Sequence, residues 1–185
     1  MIEISFVFIE ALLAVIWVIV RAAVWIKNKK LDPKREALLL LMYVNLAVII
    51  RFTMFPMKKL NGCVQPLLFD PERLLPFNTN LIPFVNTFAY SSKRETMVNV
   101  IGNSLLLTPT GIILPILYKK LDTFPKVLLT GALMSLCIEI AQLPFFTRVT
   151  DTDDLILNTL GVAIGYGIYA LASLVRARGA SVKNE

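Results

Sequence analysis

The sequence predicts an all-α fold: a polytopic membrane helical bundle of about five transmembrane helices, with a long extracellular segment between helices two and three. Three observations carry this expectation. The chain is 56% hydrophobic and only 17% charged, with a mean hydropathy of +0.68, whereas ordinary soluble domains run about 45–50% apolar and about 25% charged. Its apolar residues fall into five runs, each close to the roughly 20 residues needed to cross about 30 Å of hydrocarbon. Its lysines and arginines gather in the short connections between those runs. One bundle spanning residues 1–185 is expected, not several domains.

The runs are Ile4–Ile26, Ala37–Phe55, Met97–Tyr118, Val127–Phe146 and Leu155–Val175. Lipid offers backbone amides no partners, so each run crosses as a helix. No small-residue cleavage site follows the first run, which favours a retained helix over a signal peptide. The first connection holds Lys27, Lys29, Lys30, Lys34 and Arg35. The connection after the third run holds Lys119, Lys120 and Lys126, and the C-terminal tail holds Arg176, Arg178 and Lys183. Alternating spans put all of these on one side. The positive-inside rule makes that side cytoplasmic, with the N-terminus outside and the C-terminus inside. The net charge of +6 is thereby explained by topology, and no nucleic-acid partner is implied.

Between the second and third runs, residues 56–96 form the long outer segment. It carries Leu74, Leu75, Phe77, Leu81, Ile82, Phe84, Val85 and Phe88, too apolar for a free loop. Pro66, Pro71, Pro76 and Pro83 oppose one continuous helix. Short helical or extended pieces that lie on the membrane or cap the bundle are expected. In the third run Asn99 and Asn103 stand at i, i+4 and share a face, while Pro109 and Pro115 should bend it.

The chain has no histidine, which removes His-based triads and His metal ligands. Cys63 and Cys137 have no metal-ligand spacing, and one lies in a loop and the other in a span, so no disulfide joins them. In the topology above, Glu10, Arg51, Asn99, Asn103, Glu139, Gln142 and Asn158 all fall in the outer half of the membrane. Arg21 lies near the inner end of the first span, where it can snorkel to the interface. Buried charge costs about 2.5–3.5 kcal/mol on insertion scales, so such groups face a bundle interior or an aqueous cavity. Glu139 and Gln142, at i, i+3, share a face. Arg148, Asp151, Asp153 and Asp154 occupy the turn before the last run, where Asp153 or Asp154 caps the helix. Asn158 lies one turn below Asp154. Asp153 is expected to be a solvated turn charge.

Two uses of these residues stay open. In one, Glu139 pairs with Arg51 or Arg148 and only locks the bundle. In the other, Arg51, Asn99, Asn103, Glu139, Gln142, Arg148, Asp151, Asp154 and Asn158 form an outward-facing polar pocket. An oxygen-donor metal site is the weaker reading of the Asp151–Asp154 run. No metal, cofactor or catalytic residue is assigned.

The order of motifs is that of a known family. Arg51-Phe52-Thr53-Met54-Phe55-Pro56 is followed by Asn80-Leu81-Ile82-Pro83-Phe84. Next come Asn99-x3-Asn103, Pro109-Thr110-Gly111 and Ser135-x3-Glu139-x2-Gln142. The series closes with Arg148-x2-Asp151-x-Asp153-Asp154-x3-Asn158-x2-Gly161-x3-Gly165. Over roughly residues 51–167 this resembles the VanZ-like family of bacterial membrane proteins, whose name comes from a member associated with low-level resistance to the glycopeptide teicoplanin. The resemblance implies a multi-pass protein of the bacterial cytoplasmic membrane. It further implies a contribution to glycopeptide resistance at the outer face, where membrane lipids, a peptidoglycan precursor or the antibiotic itself are the partners. Two alternatives remain: a membrane enzyme acting on an outer-leaflet lipid or lipid-linked intermediate, and a small transporter with Glu139 as its ion site. Neither a nucleophile elbow nor a phosphate-binding loop supports the enzyme. No inverted repeat supports the transporter.

Overall fold

The computed structural model describes residues 2–56, 59–60, 62–74, 79–80, 82–83 and 92–182. Five helices among them are long and apolar enough to cross a membrane: Phe6–Asn28, Pro33–Met54, Thr96–Leu117, Phe124–Gln142 and Thr152–Gly179. The protein is an α-helical, multi-pass membrane protein, as the hydropathy pattern predicts. Their ends differ from the apolar runs because capping decides helix ends. Helix α1 (Phe6–Asn28) starts at Ser5, whose hydroxyl accepts the Phe8 N–H. Helix α2 starts with Pro33 behind an Asp32 cap, taking in the polar turn ahead of the apolar run, and ends at Met54. Pro in the first turn costs nothing, since its missing N–H is one of the unbonded ones.

The chain divides into two compact units. The first comprises Met1–Leu81 and Cys137–Asp151. Alongside α1 and α2 it holds short strands: β1 (Ile2–Ile4), β2 (Lys59–Leu60), β3 (Cys63–Val64), β4 (Leu67–Phe69), β5 (Thr79–Asn80) and β6 (Thr150–Asp151), with a 3-10 turn at Pro71–Leu74. Strand β1 pairs antiparallel with β4, Glu3 facing Leu68. Leu68 also accepts the Phe146 N–H at 2.9 Å, and Asp70 donates to the Pro144 carbonyl at 2.8 Å. The N-terminal residues, expected only to precede a span, therefore form a strand. β2 and β3 form a hairpin around Gly62, whose φ of +79° suits glycine. β5 and β6 pair in parallel. The expectation of short extended and helical pieces after the second span holds for the described residues. Leu75, Phe77, Leu81, Phe84, Val85 and Phe88 lie outside them.

Arg21 corrects an expectation. It does not snorkel: it is only 9% exposed and grips Glu36 of α2 with two nitrogens, Nε to Oε2 at 2.9 Å and Nη2 to Oε1. A partner one connection away made burial cheaper than reaching water.

The second unit comprises Ile82–Leu136 and Thr152–Glu185. Helices α3 (Lys93–Leu106) and α4 (Thr108–Leu117) together make one span, interrupted at Leu107. Pro109 has no N–H for the Leu105 carbonyl, which accounts for the break. Helix α5 (Phe124–Gln142) runs from this unit into the first and stops two residues before Pro144, which opposes helix in the residue ahead of it. Helix α6 (Thr152–Val182) takes Asp153 and Asp154 into its first turn, where carboxylates favour the positive end of the dipole.

Within this unit α6 packs on α3 and α4 at backbone distance. A Cβ on Gly161 would sit 2.0 Å from the Ser104 carbonyl oxygen, and one on Gly165 would sit 2.1 Å from that of Thr108. From the facing side, a Cβ on Gly111 would sit 2.2 Å from the Val162 carbonyl oxygen. Membrane helices associate through such small-residue contacts because lipid supplies no hydrophobic drive between them. Leu107, Thr110 and Val162 are fully buried at this seam. At its far end the Tyr166 hydroxyl donates to the Asp122 carbonyl at 3.1 Å.

Candidate functional site

The nine residues singled out by sequence divide between the units. Arg51, Glu139, Gln142, Arg148 and Asp151 belong to the first, and Asn99, Asn103, Asp154 and Asn158 to the second.

In the first unit the organising feature is the end of α2. A helix leaves its last four carbonyls without intrahelical partners, and in a membrane span each must find one. Gln142 donates its Nε2 to the Thr53 carbonyl at 2.6 Å. Arg148 donates Nε to the Met54 carbonyl at 2.8 Å and Nη2 to that of Phe55. Arg51 donates Nη1 to the Phe55 and Pro56 carbonyls at 3.4 and 3.3 Å. Two cations thus stand at the negative end of the α2 dipole, where they stabilise it. The Arg51 guanidinium also lies 5.6 Å from the ring centres of both Phe6 and Phe52.

A second set of bonds ties α5 to the strand that follows it. Glu139, 3% exposed, accepts the Asp151 N–H on Oε2 at 3.0 Å, and its own carbonyl accepts the Thr150 hydroxyl at 2.9 Å. Asp151 in turn accepts from Asn80 at 3.4 Å, across the β5–β6 pair. Glu139 therefore fixes the turn that sequence placed beside it. Gln142 shares its face, as the i, i+3 spacing requires, and is 4% exposed. Its Oε1 has no hydrogen-bond partner among the described residues. Turning the amide over would set that oxygen against the Thr53 carbonyl, so the orientation is fixed.

The second unit brings Asn99, Asn103 and Asp154 together. Asn103 donates to Asn99 Oδ1 at 3.1 Å and to Asp154 Oδ1, linking α3 to the start of α6. Asn158, 1% exposed, donates to the Ser135 hydroxyl at 3.0 Å. Asp153 overturns an expectation: it is no solvated turn charge but a buried group, 2% exposed. Its neighbour Asp154 stands about 100° away around the helix, where it meets Asn103 of α3.

Sequence reasoning took Asp153 for a solvated charge, and it left Asn80 and Glu36, the partner of Arg21, outside the polar sets. Asn80 carried a signal, since it opens the Asn80-Leu81-Ile82-Pro83-Phe84 motif. The α2 carbonyls carried none, because backbone acceptors leave no mark on residue identity. Chemically, both sets are hydrogen-bonding arrangements. Among the described residues no three Asp, Glu or Cys side chains are grouped to hold a metal.

The family model described as VanZ/LLP1 matches residues 37–173, from the first turns of α2 to the body of α6. The chain is also similar to Protein VanZ of Enterococcus faecium, at 34% identity over 94 residues, 51% of this chain and 53% of that protein. The similarity thus spans about half the length of that relative. No solved structure matches the chain. A match that takes in four of the five spans and every residue of both polar sets carries the assignment: the chain belongs to the VanZ/LLP1 family.

Proposed function

We propose that this is a bacterial cell-envelope protein that lowers susceptibility to teicoplanin-type glycopeptides by binding a lipid, a wall precursor or the antibiotic at the outer face of the cytoplasmic membrane. The family match over residues 37–173 is the observation that carries it, together with the likeness to Protein VanZ. The distribution of lysines and arginines supports an N-terminus outside and a C-terminus inside. That topology puts the end of α2, with Arg51, Gln142 and Arg148, at the outer surface. Binding is favoured over chemistry because Arg51, Gln142 and Glu139 all bond to backbone groups.

The test is a deletion strain complemented with wild type or with an Arg51→Gln variant. Deletion is expected to lower the teicoplanin inhibitory concentration, and the wild-type gene to restore it. Unchanged susceptibility to teicoplanin and to lipoglycopeptides in the deletion strain would overturn the resistance role.

A further inference from the structure

The end of α2 holds two guanidinium groups on one oxygen. Arg51 Nη1 and Arg148 Nη2 both donate to the Phe55 carbonyl, so the two cations are neighbours. Arg148 reaches the backbone through two nitrogens. Arg51 reaches it only through Nη1, at 3.3–3.4 Å. A guanidinium carries five N–H donors in a planar fork, and those on Arg51 Nε and Nη2 have no partner among the described residues. Phe6 and Phe52 lie beside this cation. They displace water without accepting a hydrogen bond in its place, which strengthens whatever charge-assisted bond an anion makes there.

Depth and surroundings narrow the anion. Arg51 is in the last turn of a membrane-spanning helix, at the level where headgroups begin. Leu40, Val44, Val48 and Phe52 follow one another at four-residue steps up the same helix, and all four are exposed. Residues so spaced form one ridge. An apolar chain laid along it brings its headgroup to the guanidinium.

We propose that Arg51, with Arg148 beside it, binds the phosphate of a membrane lipid, the lipid chain lying along the Leu40–Phe52 ridge. Arg51 is the contact, through the in-plane fork that suits phosphate oxygens. Arg148 adds charge while holding the α2 end in place. The site deepens the binding role proposed above and rests on it for its biological setting.

The experiment uses the full chain purified in a neutral detergent, with retained lipid read by native mass spectrometry. Probes are geranylgeranyl diphosphate and phosphatidylglycerol, their phosphate-free counterparts geranylgeraniol and diacylglycerol, and inorganic diphosphate. The phosphate lipids are expected to bind at least about tenfold more tightly than the phosphate-free ones, the worth of one charge-assisted hydrogen bond. Excess inorganic diphosphate should displace them while binding more weakly itself. Arg51→Gln should lose about the same factor, and Arg51→Lys, which keeps the charge but not the planar fork, should recover only part of it. Equal binding of phosphate and phosphate-free lipids overturns the proposal. So does Arg51→Gln protein that binds like wild type, or inorganic diphosphate that binds as tightly as the lipids, which would make the ligand a free anion. Should Arg51→Gln not fold, failure of diphosphate to compete on the wild-type protein is equally decisive. Lost binding in a protein whose deletion does raise teicoplanin susceptibility sinks the phosphate site alone. Intact binding with unchanged susceptibility sinks the resistance role alone.

Discussion

Gln142 donates its side-chain amide to the backbone carbonyl of Thr53 at 2.6 Å, across 89 positions of sequence. Both groups are buried, and Thr53 itself turns its hydroxyl back to the Ile49 carbonyl at 2.8 Å. Gln142→Leu removes the donor and strands the Thr53 carbonyl, at a cost of about 1–3 kcal/mol. Gln142→Glu should do worse, setting a carboxylate against a carbonyl oxygen. Gln142→Asn is too short to reach and should behave like Leu. Thermal unfolding in detergent checks the order, and a Gln142→Glu protein as stable as wild type would show that this bond does not hold the α2 end.

The glycine seam of the second unit supplies its own controls. Gly161→Ala and Gly165→Ala set a methyl against backbone oxygens at 2.0 and 2.1 Å, which no rotamer change relieves. The helices must part, and overpacking of this kind costs about 1–3 kcal/mol. Gly102 and Gly167 have nothing within 4 Å of a built Cβ. Alanine there should stabilise its helix by up to about 1 kcal/mol, the difference in helix propensity. Four single variants and one unfolding assay decide the matter. If all four shift stability alike, the close approach is not what holds these helices.

What the sequence made legible follows from how each feature is encoded. Hydrophobic run length marked the five spans. Spacing put Asn99 and Asn103 on one face, where they hydrogen-bond, and put Glu139 and Gln142 together in burial. Helix ends were less clear because the polar turn Lys34-Arg35-Glu36 is hidden from hydropathy, although Asp32 and Pro33 begin a helix there. Partners were the least legible. Gln142, Arg51 and Arg148 were expected to meet side chains or a ligand, and the first bonds they make are to carbonyls. Asp153 and Asp154 look alike in the chain, and only packing decides which turns inward. The strand pairing of Ile2–Ile4 with Leu67–Phe69 joins segments too short and too distant for any periodicity to declare.

The Arg21–Glu36 pair ties α1 to the first turn of α2, with side chains 11% and 19% exposed. Removing one partner from a buried pair leaves an uncompensated charge, at a cost of about 3–5 kcal/mol. Arg21→Met and Glu36→Gln should each approach that, while the double variant should recover much of the loss. A double-mutant cycle on unfolding free energies measures the coupling. Additive losses would mean that the two side chains meet without depending on each other.

Cys63 and Cys137 turn the proposed topology into a labelling experiment. Both are free and exposed, but Cys63 lies in the β2–β3 hairpin and Cys137 within the α5 span. A charged, membrane-impermeant maleimide stays in water and does not enter the hydrocarbon around a span. In intact cells a membrane-impermeant maleimide should therefore label Cys63, and a Cys63→Ser protein should take up none. Permeabilisation should change neither result, because Cys137 is shielded by lipid and not by sidedness. Labelling of Cys63 only after permeabilisation would place the hairpin in the cytoplasm. The end of α2 would go with it, and a resistance role built on the outer face could not stand.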